Sequence, residues 1–180
     1  MAVRKILTIH DPVLYQVSET ITKFDSSLRT LVRDMFDSMY SANGVGLAAV
    51  QIGILKSILV IDLEEHGFVK GVFINPRVLE QSGEMQQGEE GCLSVPGLSA
   101  ELERPRWVKV GYQNLSGKEV TIEAEMLMAR ALLHEMDHLD GKVFVDQLEP
   151  DLRLSLKDDI ELIKQGKTIE NVVVPEYRRK

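Results

Sequence analysis

The stretch from Glu125 to Leu139 constrains the fold more than any other. Met126, Leu127, Met128, Ala129, Ala131, Leu132, Leu133 and Met136 make the helix it predicts apolar on most faces. A helix without a wide polar side has to be covered by other elements, so this one belongs in the middle of the molecule, closed by Gly141. The rest of the chain supplies the cover. Leu28, Leu31, Val32, Met35, Phe36, Met39 and Tyr40 recur at the helical period, with a cap at Asp25 or Ser26 and a stop at Asn43-Gly44. Short β-type runs follow at Ser57–Leu63, Gly71–Val78, Val108–Leu115 and Glu119–Ala124. The last two read as a hairpin about Ser116-Gly117, since Val120, Ile122 and Ala124 alternate with polar residues. A third helix over Asp151–Gln165 sets Leu152, Leu156, Ile160 and Ile163 on one stripe and stops at Gly166. No element is assigned after Lys167.

At 180 residues the chain matches one domain on a scale of about 150 residues each. No repeat or Pro/Gly-rich linker divides it. Residues 1–166 are therefore expected to form one α+β domain that includes the C-terminal helix, with 167–180 as a tail. The 44% hydrophobic content with a net charge of −7 describes a globular chain and argues against disorder. Charge is uneven: residues 151–180 carry one more basic than acidic group, which leaves −8 on the first 150. An acidic body argues against a broad basic face for nucleic acid, although Arg178-Arg179-Lys180 could touch an anionic partner. The most apolar stretch, Gly44 to Leu63, is broken by Gln51, Lys56 and Asp62, which excludes a membrane span there. The N-terminal apolar run is too short for a signal-peptide core, so the expected compartment is the cytoplasm.

The chemistry concentrates in His134-Glu135-Met136-Asp137-His138. At about 100° per residue His134 and His138 share one helix face, one turn apart, and can chelate a single metal ion. Glu135 flanks that ion without binding it, where it can take a proton from water. Two imidazoles and a carboxylate in a buried apolar helix would otherwise be costly. An open catalytic site needs a third protein ligand. Cys92, the one cysteine of the chain, lies in Glu90-Gly91-Cys92-Leu93-Ser94; it rules out a disulfide scaffold and any site with two thiolates from this chain. A lone cysteine is more often a buried structural thiol, and Asp140, Asp146 and Glu149 are rival carboxylate ligands, so spacing does not decide the third ligand. A further cluster, Gly44-Val45-Gly46-Leu47-Ala48-Ala49-Val50-Gln51, reads as a tight loop entering a strand or as a substrate wall with the Gln51 amide pointing inward. It lacks the lysine and hydroxyl of a phosphate loop.

These three motifs, in this order, resemble the peptide deformylase family: Gly44 to Gln51, Glu90 to Ser94, and His134-Glu135-Met136-Asp137-His138-Leu139-Asp140-Gly141. The likeness spans roughly Ile6 to Leu148, and Asp11-Pro12-Val13-Leu14 looks like the family's N-terminal signature. The resemblance implies an α+β fold of antiparallel β-sheets packed around the central helix, plus the C-terminal helix. It also settles the third ligand on Cys92. The implied reaction is removal of the formyl group from N-terminal formyl-methionine of nascent peptides, releasing formate, in the bacterial cytoplasm.

Carried onto this chain, the implied metal ligands are Cys92, His134 and His138, with water in the fourth position. Glu135 is the implied general base and then acid, and the Gln51 amide with the Leu93 N–H are the implied oxyanion donors. Val45, Gly46, Leu127, Ala131 and His134 are the expected lining of the methionine pocket. Glu90 and Arg104 form an expected ion pair behind the cysteine loop. Ferrous iron is the implied ion, and zinc, nickel or cobalt can replace it; a ferrous ion beside a thiolate would make activity air-sensitive. Two residues depart from the family pattern: Leu133 stands where glutamine precedes the first histidine, and Val50 where proline or threonine precedes Gln51. The competing readings are a metalloprotease, which shares the His-Glu-x-x-His pattern, and a non-catalytic homologue that binds nascent chains or the ribosome through the C-terminal helix.

Overall fold

The computed structural model describes residues 2–170 and the backbone of Val172–Val173. In chain order the elements are α1 (Ser26–Ser41), β1 (Gly46–Ala48), β2 (Ile58–Asp62), β3 (Lys70–Gln81), β4 (Met85–Cys92), β5 (Val95–Pro105), β6 (Trp107–Gln113), β7 (Glu119–Glu125), α2 (Met126–Leu139), α3 (Pro150–Ser155), α4 (Lys157–Lys164) and β8 (Val172–Val173).

The expected cap starts α1: Asp25 accepts from the backbone N–H of Ser27 and Leu28 at 2.9 and 3.2 Å. Five antiparallel strands then form one sheet in the order β1-β2-β3-β6-β7. The period-two alternation of β2 divides its side chains between two cores. Ile58 and Val60 pack with Leu28, Val32, Met35 and Met39 of α1, whereas Leu59 and Ile61 pack with Met128, Ala129 and Leu132 of α2. The second sheet joins β4, β5 and β8. Its β5 residues Leu98, Ala100 and Leu102 pack with Val143–Val145 and with Leu152, Leu156, Ile160 and Ile163. Helix α2 thus runs between the five-stranded sheet and the β4–β5 hairpin, as its composition requires.

Gly141, at φ 71°, ends this helix: a Cβ there would meet the Tyr15 carbonyl carbon at 2.8 Å. The first turn of α2 is less covered than expected, with Met126 46% and Leu127 38% exposed. Met126 also sits at φ 52°, a conformation non-glycine residues avoid, and is held there by bonds from its N–H to the Arg106 carbonyl and from Gln86 Nε2 to its own carbonyl, both 2.9 Å.

One expectation is corrected, and two stretches without an assigned element acquire strands. The β4–β5 hairpin falls in a stretch with no element assigned from sequence, and Gln, Glu and Gly dominate its first strand. The helix expected over Asp151–Gln165 bends at Leu156 into α3 and α4, with the Ser155 hydroxyl donating back to the Leu152 carbonyl at 2.7 Å. After Lys167, where the sequence pattern assigns no element, β8 runs parallel to β5, with Leu98 opposite Val172. The basic end Arg178-Arg179-Lys180 lies outside the described residues. Among the described residues no helix is long and apolar enough to cross a membrane.

Candidate metal centre

Helix α2 and the hairpin meet at one point. The β4–β5 register shifts between Gly91 and Cys92, and at this irregularity Cys92 Sγ comes within 3.2 Å of His138 Nε2. One turn back, His134 joins them, and the ligand atoms of Cys92, His134 and His138 all lie within 4.8 Å of one another. The rivals lie elsewhere: Asp140 is beside Lys142 at 3.6 Å, Asp146 beside Arg153 at 2.8 Å, and Glu149 precedes α3 outside the cluster.

Each histidine has one nitrogen committed to this point. His134 Nδ1 is 2.9 Å from Glu90 Oε2, which leaves Nε2 for a metal and fixes the ring's orientation. His138 turns Nε2 to the sulfur, while its Nδ1 is buried with no hydrogen-bond partner. Glu90 and Arg104 form the expected pair behind the cysteine loop, buried at 4% and 6% exposure. Arg104 also donates to Asp137 at 2.5 Å, and Gln147 to the same carboxylate at 2.7 Å.

The electrostatics suit a cation. Burial works against the Cys92 thiolate, yet the His138 charge and hydrogen bonds from both histidines outweigh it and bring the thiol down to about 5. Burial likewise opposes charge on Glu90, but the bonds from His134 and Arg104 hold it at about 2. Glu135 is the exception: burial dominates and raises it to about 7. Its Oε2 has no hydrogen-bond partner. A thiolate, two imidazoles and a partnerless carboxyl oxygen beside them fit one divalent cation with a reactive group next to it.

A cavity of about 230 Å³ opens on this cluster, lined by Val45, Gly46, Gln51, Cys92, Leu93, His134 and Glu135 among others. His138, 1% exposed, sits behind that wall. Strand β1 brings Gly46 against Glu135, where a Cβ would come within 2.9 Å of the carboxyl carbon. A short 3₁₀ turn, Ala49–Ile52, then carries Gln51. Its Oε1 accepts from the Ala48 N–H at 2.7 Å, which turns Nε2 toward Cys92 Sγ at 3.6 Å and Ser94 Oγ at 3.2 Å. The inward-pointing reading of Gln51 therefore describes it. Leu127 and Ala131 are not in the cavity wall: Leu127 lies on the exposed first turn, and Ala131 packs in the core beside Leu132. Leu133, at the position of the family's glutamine, is half-buried against that same core.

Two participants escape the sequence reading. Ser94 supports both Gln51 and Cys92, its N–H lying 3.4 Å from Sγ. Arg130, 6% exposed, donates to Glu90. Its signal is present, since a cation inside an otherwise apolar helix has to find a buried partner.

A thiolate and two histidines around one point, with a protonatable carboxyl and an open cavity beside them, define the centre of a mononuclear metal-dependent hydrolase. A family model described as polypeptide deformylase matches residues 3–153. The chain is 47% identical over 150 residues to a peptide deformylase of Brucella suis biovar 1, covering 82% of this chain and 86% of that one. The crystal structure of a peptide deformylase from Legionella pneumophila superposes with a TM-score of 0.83 at 41% identity, covering 92% and 97% of the two chains. One from Synechococcus elongatus, in complex with actinonin, gives 0.82 at 40% identity over 94% and 91%. The chain belongs to the polypeptide deformylase family.

Proposed function

We propose that this chain removes the formyl group from the N-terminal formyl-methionine of newly made peptides and releases formate. The observation that carries this reading is the meeting of Cys92, His134 and His138 within 4.8 Å beside Glu135, on an open cavity. Those three residues would hold one divalent ion. Bound there, such an ion supplies Lewis acidity and makes water acidic enough to react near neutral pH.

The remaining work falls to the chain. Glu135, with its carboxyl near neutrality, takes the proton of the attacking water and returns it to the departing amine. The Gln51 Nε2 and the Leu93 N–H are the donors for the charge that develops on the formyl oxygen. Val45 and Gly46, with His134, form the wall of the methionine site. Residues 1–166 act as one catalytic unit. Ferrous iron is the ion we assign, in the cytoplasm where nascent chains are made. Contact with the ribosome through α3 and α4 is supported by Leu154, 69% exposed, beside Arg153, Lys157 and Lys164.

The test is formate release from formyl-Met-Ala-Ser by protein purified without air and analysed for metal. Release of formate with no internal peptide cleavage is expected, and casein digestion without deformylation would overturn the reading. Co-sedimentation with ribosomes, lost when the exposed Leu154 and Lys157 are both changed to Glu, tests the contact.

A further inference from the structure

Arg130 is the single arginine or lysine of α2, and it is buried. A guanidinium has five N–H groups and no way to shed its charge, so inside a protein it must be surrounded by acceptors. Those it finds all belong to the hairpin that carries Cys92. Nη1 donates to Glu90 Oε1 at 2.8 Å and to the Leu102 carbonyl at 2.9 Å, and Nη2 to the Gln86 carbonyl at 3.0 Å. Gln86 and Glu90 are on β4, and Leu102 is on β5, so one side chain grips both strands.

The hairpin makes room for it. Gly88 pairs with Leu102 in the β4–β5 ladder, and a Cβ at Gly88 would lie 2.8 Å from Arg130 Nη2 and 3.0 Å from its Cζ. A side chain at residue 88 would therefore push the guanidinium out of this place.

Glu90 then links Arg130 to His134. Its Oε1 accepts from Arg104 Nε and Arg130 Nη1, and its Oε2 from Arg104 Nη2 while facing His134 Nδ1 at 2.9 Å. Arg130 and His134 are one helical turn apart, so a single carboxylate spans the two, one oxygen to each. Three residues beyond His134, Asp137 holds Arg104 at 2.5 Å. The hairpin is thus tied to α2 on both sides of His134.

We propose that Arg130 is a positioning residue of the metal centre: by holding Glu90 Oε1 and the carbonyls of β4 and β5, it delivers Glu90 Oε2 to His134 and keeps Cys92 in register with His134 and His138. This rests on the reading of those three residues as ligands. A thioether or aliphatic chain at residue 130 fills the volume but takes this donor from the Gln86 and Leu102 carbonyls and leaves Glu90 Oε1 with Arg104 Nε alone, and both the His134 ring and the hairpin gain freedom to move away from the ion.

The test follows zinc leaving the full-length, zinc-loaded protein for an excess of a colorimetric chelator. Arg130→Met and Gly88→Ala, which act on the same guanidinium from opposite sides, are each expected to speed release about tenfold, with Arg130→Lys recovering part of the loss. Arg130→Met added to Glu90→Gln should change the rate little beyond Glu90→Gln alone, because both break one chain of contacts. Release within about twofold of wild type, or effects that multiply in the double variant, would overturn the proposal. Gly88→Ala keeps the question open to test if Arg130→Met fails to fold. Wild-type protein that takes up no zinc would instead overturn the ligand assignment beneath it.

Discussion

Gly46 lies so close to Glu135 that a Cβ would stand 2.9 Å from the carboxyl carbon and 3.0 Å from Cγ, with Oε1 closer still. A glycine on β1 is therefore what allows the carboxylate to face the cavity. Gly46→Ala should displace Glu135 without touching a ligand. A shift near an ångström costs on the order of 10²-fold in rate, so kcat/KM should fall by about that factor with metal content unchanged. Elemental analysis beside the formate assay checks it, and undiminished turnover would disprove the steric argument.

Glu135→Gln keeps the volume and removes the base. The ligands are untouched, so metal stoichiometry should persist while turnover drops by at least about 10²-fold. Persistence of wild-type activity would remove Glu135 from the mechanism.

Gln51→Leu tests the oxyanion donor. The substitution preserves size in a buried site, 1% exposed, and deletes the Nε2 that approaches Cys92 and Ser94. A loss of about 10²–10³ in kcat with a modest change in KM is expected. A change confined to KM would mean that Gln51 binds substrate but does not act on the reacting carbonyl.

In the metal-free protein the two buried glutamates give stability opposite slopes with pH. Glu135 is raised from 4.5 to about 7, so between those values the unfolded chain has released a proton that the folded chain keeps. Stability falls as pH rises through that window and levels off above it, by on the order of a few kcal/mol. Glu90 is lowered from 4.5 to about 2, and its contribution is lost as pH falls from the first value toward the second. Urea unfolding of the metal-free wild type and Glu135→Gln should diverge between pH 4.5 and 7, the wild type losing stability relative to the variant. Parallel curves would contradict the assigned burial.

What the sequence disclosed follows from where its periodicities are strong. The apolar run of α2 beyond its first turn, the stripe of α1 and the alternation of β7 each announce an element whose environment matches its composition. The β4–β5 hairpin does not, because Gln86, Gln87, Glu89 and Glu90 carry no β-type signal and are held by pairing and by Arg130. Yet Leu98, Ala100, Leu102 and Arg104 alternate inward along β5, a two-residue period interrupted only by the polarity of Arg104. The same arginine hides the depth of its pair with Glu90, since charge at a single position suggests surface unless its partners are known. Cys92, His134 and His138 could be named from motifs, but their convergence depends on a register shift at Gly91 that spacing does not encode. The division of α3 from α4 depends likewise on a hydroxyl that competes for a backbone carbonyl.

The thiol and its histidine partner His138 are 46 residues apart in the chain. An ion held by both, as proposed, would act as a reversible crosslink, closing a loop that the lone cysteine could never close with a disulfide. Because the three side chains are gathered only in the folded chain, an ion held there would stabilise the fold by binding it in preference to the unfolded chain. Heat resistance of this protein is then a property of its metal load, and preparations with different occupancy should melt as mixtures.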